Sequence, residues 1–176
     1  MTQQCSMFIL WLLLPGLALA QPSDSLSISN ACADPSFRAF DFWLGSWIVR
    51  DSTGAQVGTS RITRVASGCG LREEWMGASG YRGTSLNYYD PKDDTWHQDW
   101  VGSGGLLLHL SGGLDDNAMV LTGERNGEDG PVLDRIRWRR LADGRVRQEW
   151  TASTDSGATW QRVFLGFYET APDGDP

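Results

Sequence analysis

The sequence predicts an all-β fold, an antiparallel up-and-down barrel of about ten strands with a short N-terminal helix closing one end. Two observations carry this. Beyond residue 42 the chain is a succession of short segments rich in Val, Thr, Trp, Tyr and Ile, punctuated by Gly, Asp, Asn and Pro. That is the pattern of strands joined by tight turns. The connections are also short throughout, which makes the strands a meander. A twisted meander of that length tends to close on itself and lose its edges. A barrel of about eight to ten strands has room for side chains or one small ligand. A two-sheet sandwich is the alternative architecture.

The elements follow in chain order. Residues 1–20 contain no charged side chain, and Met7–Ala20 is almost wholly apolar and ends Ala18-Leu19-Ala20. A hydrophobic run before a small-x-small site reads as a secretory signal peptide cut after Ala20. The run is short for a membrane span of roughly 20 residues, and Pro15-Gly16 interrupts it. Met1–Ser6 lacks Lys and Arg, so retention of the segment as an anchor is the alternative. The expected location is secreted or periplasmic. Residues 21–33 form an N-terminal arm, residues 34–169 a single barrel domain, and residues 170–176 a disordered tail.

Asp34 can cap a short helix over Pro35–Phe42, with Pro35 in its first turn. Strands are then expected over Trp43–Arg50, Val57–Ala66, Leu71–Met76, Tyr81–Tyr89 and Thr95–Val101. Five more follow over Leu106–Leu110, Ala118–Gly123, Val132–Arg140, Arg145–Ala152 and Thr159–Glu169. Ala142-Asp143-Gly144 is a tight hairpin signal, and Glu124–Pro131 reads as a polar loop.

The net charge of −7 falls wholly beyond residue 20. It argues against nucleic acid and anionic membrane surfaces, both of which call for a basic face. Two cysteines follow the leader, Cys32 and Cys69. In an oxidising compartment an even count reads as a disulfide. It would tie the arm to the turn between the second and third strands and add roughly 3–4 kcal/mol. A redox pair would want a C-x-x-C spacing, which is absent.

Phe40-Asp41-Phe42-Trp43-Leu44-Gly45-Ser46-Trp47 opens the first strand. Its Gly45-x-Trp47 resembles the opening of the calycin group of lipocalins, fatty-acid-binding proteins and nitrobindin-like barrels. That resemblance implies a Trp47 that plugs the barrel bottom, a Gly45 that lets the chain bend past it, and a basic residue of the last strand lying across the Trp face. Arg162 is the residue placed for that role. The longer pattern resembles an exported bacterial family classed as a domain of unknown function. It includes Gly68-Cys69 before Glu74-x-Met76, then Gly83-x-Ser85-Leu86-Asn87-x-Tyr89-Asp90 and Trp96-x-Gln98-x-Trp100. This implies fold and export and brings no catalytic assignment. Ser153-Thr154-Asp155-Ser156-Gly157-Ala158-Thr159-Trp160 resembles the Asp box of sialidase propellers. A propeller needs one copy per blade and there is one, so the motif reads as a stiff hairpin held by Asp155, Gly157 and Trp160.

Chemistry is sparse. No Ser-His-Asp order, G-x-S-x-G elbow or metal-ligand spacing stands out. No cofactor is expected, although the nitrobindin likeness would let His109 ligate a haem. His97 and Asp99 share one strand face, opposite Trp96, Gln98 and Trp100. Arg135, Arg137 and Arg139 alternate with Ile136 and Trp138 and read as a solvated row. Glu73 and Glu74 are adjacent, so one points inward, as for Gln148 and Glu149. The leading expectation is a barrel that binds a small hydrophobic or amphipathic molecule. Its cavity would be lined by Trp75, Trp96, Trp100, Trp138 and Trp150, with Glu74 and Gln98 as polar groups. The alternative is an isomerase- or cyclase-type enzyme using Glu74 or Glu149 with a raised pKa. A filled barrel with tryptophan as core bulk is the third reading.

Overall fold

The structure, a computed structural model, describes residues 32–172. Ten strands form one closed ring: β1 Gly45–Arg50, β2 Gln56–Val65, β3 Gly70–Gly77, β4 Arg82–Asp90, β5 Thr95–Gly102, β6 Leu107–Asp115, β7 Ala118–Gly127, β8 Gly130–Arg140, β9 Val146–Ser153 and β10 Gln161–Thr170. Each pairs antiparallel with its chain neighbours, and β10 closes on β1 with Trp47 opposite Thr170. Closure leaves no exposed edge in the ring. The expected leader, most of the arm and residues 173–176 of the tail lie outside the described residues. No helix among the described residues is long and apolar enough to cross a membrane.

Side chains alternate across each strand. On β8 the buried set is Val132, Asp134, Ile136 and Trp138. The arginine row faces out, with Arg137 on Asp115 at 2.9 Å and Arg139 on Asp116 at 2.8 Å. The turns are built from residues that accept unusual backbone angles. Asp116 and Asn117 both take positive φ, at 46° and 58°, as a two-residue hairpin of matching twist requires.

Three elements differ from expectation. The N-terminal helix is two separate 3₁₀ turns, Pro35–Arg38 and Asp41–Trp43. The Asp34 carboxylate does cap the first, accepting from the Ser36 amide at 2.8 Å. β6 runs through Ser111-Gly112-Gly113 to Asp115 instead of ending at Leu110. Gly112 is no turn residue there: a side chain at that position would overlap the Val120 carbonyl of β7. The expected polar loop over 124–131 is mostly strand, with a turn at Glu128-Asp129.

One end of the barrel is closed by an aromatic plug. Phe40 and Trp43 stack at 4.9 Å between ring centres, and Phe40 meets Trp96 and Trp138 edge-on. Trp47 packs beside them against Tyr168 and donates its indole N–H to the Trp43 carbonyl at 2.9 Å. The Cys32–Cys69 disulfide fastens the plug to the β2–β3 connection. Arg38 reinforces it by donating to the carbonyls of Cys32 and Gly68.

Candidate functional site

The opposite half of the barrel is hollow. β3, β5 and β9 run from the plug end towards the far end, and β4, β6 and β10 return. The connections at the far end, 78–81 and 103–106, form the mouth. A cavity of about 470 Å³ opens there, within the range of about 300–1,000 Å³ usual for small-molecule sites. Trp75, Trp100 and Trp150 line it together with Phe164, Leu106 and Ile136.

Small residues keep this space open. Gly58, Gly83 and Gly166 each sit under an aromatic ring: a side chain at Gly58 would strike Trp75, one at Gly83 would overlap Trp100, and one at Gly166 would strike Phe164. Atoms of these rings therefore occupy the space over the glycines, where neighbouring side chains are missing, and Trp75 and Phe164 also meet edge-on at 5.8 Å between ring centres. At the rim the Tyr81 ring lies over Gly102 in the same way. A barrel that used its aromatics only as core bulk would fill the lumen at close-packed density.

A polar belt lies between this hollow and the plug. Glu73 on β3 is 4% exposed, and its carboxylate accepts from the Ser60 hydroxyl at 2.9 Å and the Ser85 hydroxyl at 3.2 Å. Asn87 donates to Ser85 at 2.9 Å, and Gln98 donates to Asn87 at 2.8 Å. Across the lumen Tyr168 donates to Gln148. Burial lifts the Glu73 pKa from 4.5 to about 7, opposed only by the two serine hydroxyls. The Tyr168 phenol is pushed well above its ordinary value by burial and then by the charge on Glu73.

Of the residues singled out from the sequence, Trp75, Trp100, Trp138, Trp150 and Gln98 line the cavity. Trp96 does not: it is buried in the plug and donates to the Ser36 carbonyl at 3.1 Å. Glu74 points outward and pairs with Arg72 at 3.1 Å. Glu149 is also on the outer face, between Arg147 and Arg162. The inward acid is Glu73, and two-residue alternation from Trp75 identifies it. Gln148 follows from Trp150 by the same parity.

Arg162 does not cross the Trp47 ring. It sits at the mouth end of β10, while Trp47 pairs with Thr170 at the plug end, roughly 26 Å of strand away. An irregularity between Arg162 and Phe164 sends Arg162 outward to Glu149 at 3.1 Å. Gly45 has φ 138° beside the Trp47 ring, a backbone angle that suits glycine.

His109 also faces out, its side chain 74% exposed, with Nδ1 at 2.6 Å from Asp99. It cannot hold a haem inside the barrel. Asp99 therefore pairs with His109, and His97 pairs with Asp93 at 3.1 Å while stacking on Tyr88. The Ser153–Trp160 hairpin is tied by its own side chains. Asp155 accepts from the Thr159 amide at 2.8 Å, Gly157 takes φ 88°, and the Trp160 indole donates to the Gly157 carbonyl at 3.1 Å. Arg135 caps the outer face of Trp160 at 4.1 Å.

No protein-family model matches the chain, and no curated protein matches it.

Proposed function

We propose that the protein is an exported barrel that binds a small hydrophobic or amphipathic molecule in the mouth-side cavity. The observation that supports this most directly is the hollow lumen, lined by aromatic rings seated over glycines and by the buried Glu73 carboxyl group. The apolar leader-like segment and the Cys32–Cys69 disulfide support export, since such bridges persist in oxidising compartments. Native mass spectrometry of the chain recovered from a bacterial periplasm tests both parts. The expected species has lost residues 1–20 and two cysteine hydrogens, and it carries a non-covalent adduct or takes up the apolar dye N-phenylnaphthylamine. An uncleaved chain overturns export. A cleaved chain that neither carries an adduct nor changes its tryptophan fluorescence with the dye overturns binding.

One observation favours a second reading. A buried carboxyl group whose pKa is lifted to about 7 by burial, under an apolar cavity and across the lumen from a phenol, suits general acid–base work on a bound apolar substrate. An isomerase of this type would use Glu73, not Glu74 or Glu149. It would speed deuterium exchange at the acidic carbon of an apolar ketone such as tetralone, and Glu73→Gln would remove the effect. Exchange at the buffer rate excludes this reading and leaves the binding protein.

A further inference from the structure

We propose that the cavity takes a cationic amphiphile, an apolar and preferably aromatic body carrying one protonated amine, with the ammonium group seated on Glu73. This rests on reading the cavity as a binding site and goes on to the chemistry of its occupant.

Charge makes the first argument. Asp134 is also buried, but Arg125 donates to it at 2.8 Å and the Trp150 indole at 2.7 Å. Glu73 has only the Ser60 and Ser85 hydroxyls. Among the described residues lining the cavity, none is Lys, Arg or His. A buried carboxylate without a cation is a costly arrangement in a protein interior, and a bound ammonium ion supplies the missing charge. The desolvation of Glu73 is already incurred on folding, so the ligand needs to lose only its own hydration.

The hydrogen-bonding pattern points the same way. Each Glu73 oxygen accepts one hydroxyl and retains a further lone pair. The Gln98 amide nitrogen is committed to Asn87 and Ser85, which leaves its carbonyl oxygen facing the same region. On the Glu73 side the base of the cavity thus offers acceptors to a group with several donors, as an ammonium has, while on the opposite side Gln148, whose oxygen accepts from Tyr168, presents its amide nitrogen. Above it, the Trp75, Trp100 and Trp150 rings are surfaces that attract both an aromatic body and a cation. The overall charge of −7 draws cations and repels carboxylates during encounter. A fatty acid or other anionic head would meet Glu73 as a like charge.

The experiment compares naphthylethylamine, naphthylethanol and naphthylacetic acid by calorimetry at low salt and pH 8, where Glu73 is ionised. These share one apolar body and differ in the head. The amine is expected to bind about tenfold more tightly than the alcohol, the usual difference between a charged and a neutral hydrogen bond, with the acid weakest. Glu73→Gln should bring the amine down to the alcohol and leave the alcohol unchanged. If the alcohol or acid binds as tightly as the amine, or if the amine keeps its advantage in Glu73→Gln, the proposal is overturned while the cavity stands as a binding site. If none of the three binds, the cavity reading falls and takes the proposal with it. Should Glu73→Gln fail to fold, the ranking on the wild-type chain still decides.

Discussion

Glu73 shows how one position can set both the stability and the chemistry of the site. Its pKa rises from 4.5 to about 7 on burial, so the folded chain holds that proton more tightly than the unfolded chain. Below about pH 4.5 both states are protonated and nothing is lost. As pH rises from there to about 7 the unfolded state ionises first, and folding stability falls by about 3 kcal/mol before levelling off. Glu73→Gln removes the titration. Urea unfolding at pH 5 and pH 8 should show the wild type losing about 2.5 kcal/mol relative to the variant, since the unfolded carboxyl is already largely ionised at pH 5. Parallel profiles for the two chains would mean that Glu73 is not buried as described. The position was half legible in the sequence. Adjacent Glu73 and Glu74 require that one face inward, but only the parity set by Trp75 says which. Assigning both Trp75 and Glu74 to the cavity conflicts with two-residue alternation. The pairing of Asp99 with His109 is illegible for a different reason: His109 lies across the β5–β6 register, and register between strands is invisible to a local pattern.

At the level of the strand, glycine does opposite things at different places. All ten strands were legible because β-branched and aromatic segments alternate with turn residues. The ends of β6 and β7 were not. Gly112 and Gly113 look like a turn, yet in the sheet Gly112 permits a close backbone approach by Val120. The polar stretch after Thr122 lacks an apolar period because its inward Arg125 pairs with Asp134 instead of packing in the core. Gly83 does something else again, since it makes room for the Trp100 ring against the wall of β4. Gly83→Ala puts a methyl group into that ring and forces it into the lumen. The expected cost is about 1–3 kcal/mol of overpacking, with a loss of binding of roughly tenfold or more as the cavity shrinks. Thermal melts and titration with N-phenylnaphthylamine check the two effects separately. Combining Gly83→Ala with Trp100→Leu should restore stability by removing the clash. If Gly83→Ala alone binds the dye as the wild type does, Trp100 is not held by the notch.

Across the whole molecule, the plug and the mouth divide stability from binding. The plug gathers Phe40, Trp43, Trp47, Trp96, Trp138 and Tyr168 into one buried cluster. This is why Trp96 resembled a cavity residue in sequence: period-two alternation shows that a side chain points inward but not at which depth. The disulfide belongs to the same end. It closes a loop with a sequence separation of 37, for which the chain-entropy treatment gives about 4 kcal/mol of stabilisation. Arg38, held by the carbonyls of Cys32 and Gly68, keeps part of that junction in place when the bridge is gone. Replacing Cys32 and Cys69 together by serine should therefore lower unfolding stability in urea by up to about 4 kcal/mol. Well below the melting temperature, affinity for N-phenylnaphthylamine should change by no more than about threefold, because the bridge holds the plug end of β3 and the cavity opens at the far end of that strand. A large loss of affinity in a variant that remains folded by circular dichroism would show that the plug and the cavity move together, and that the two ends of this barrel are not independent.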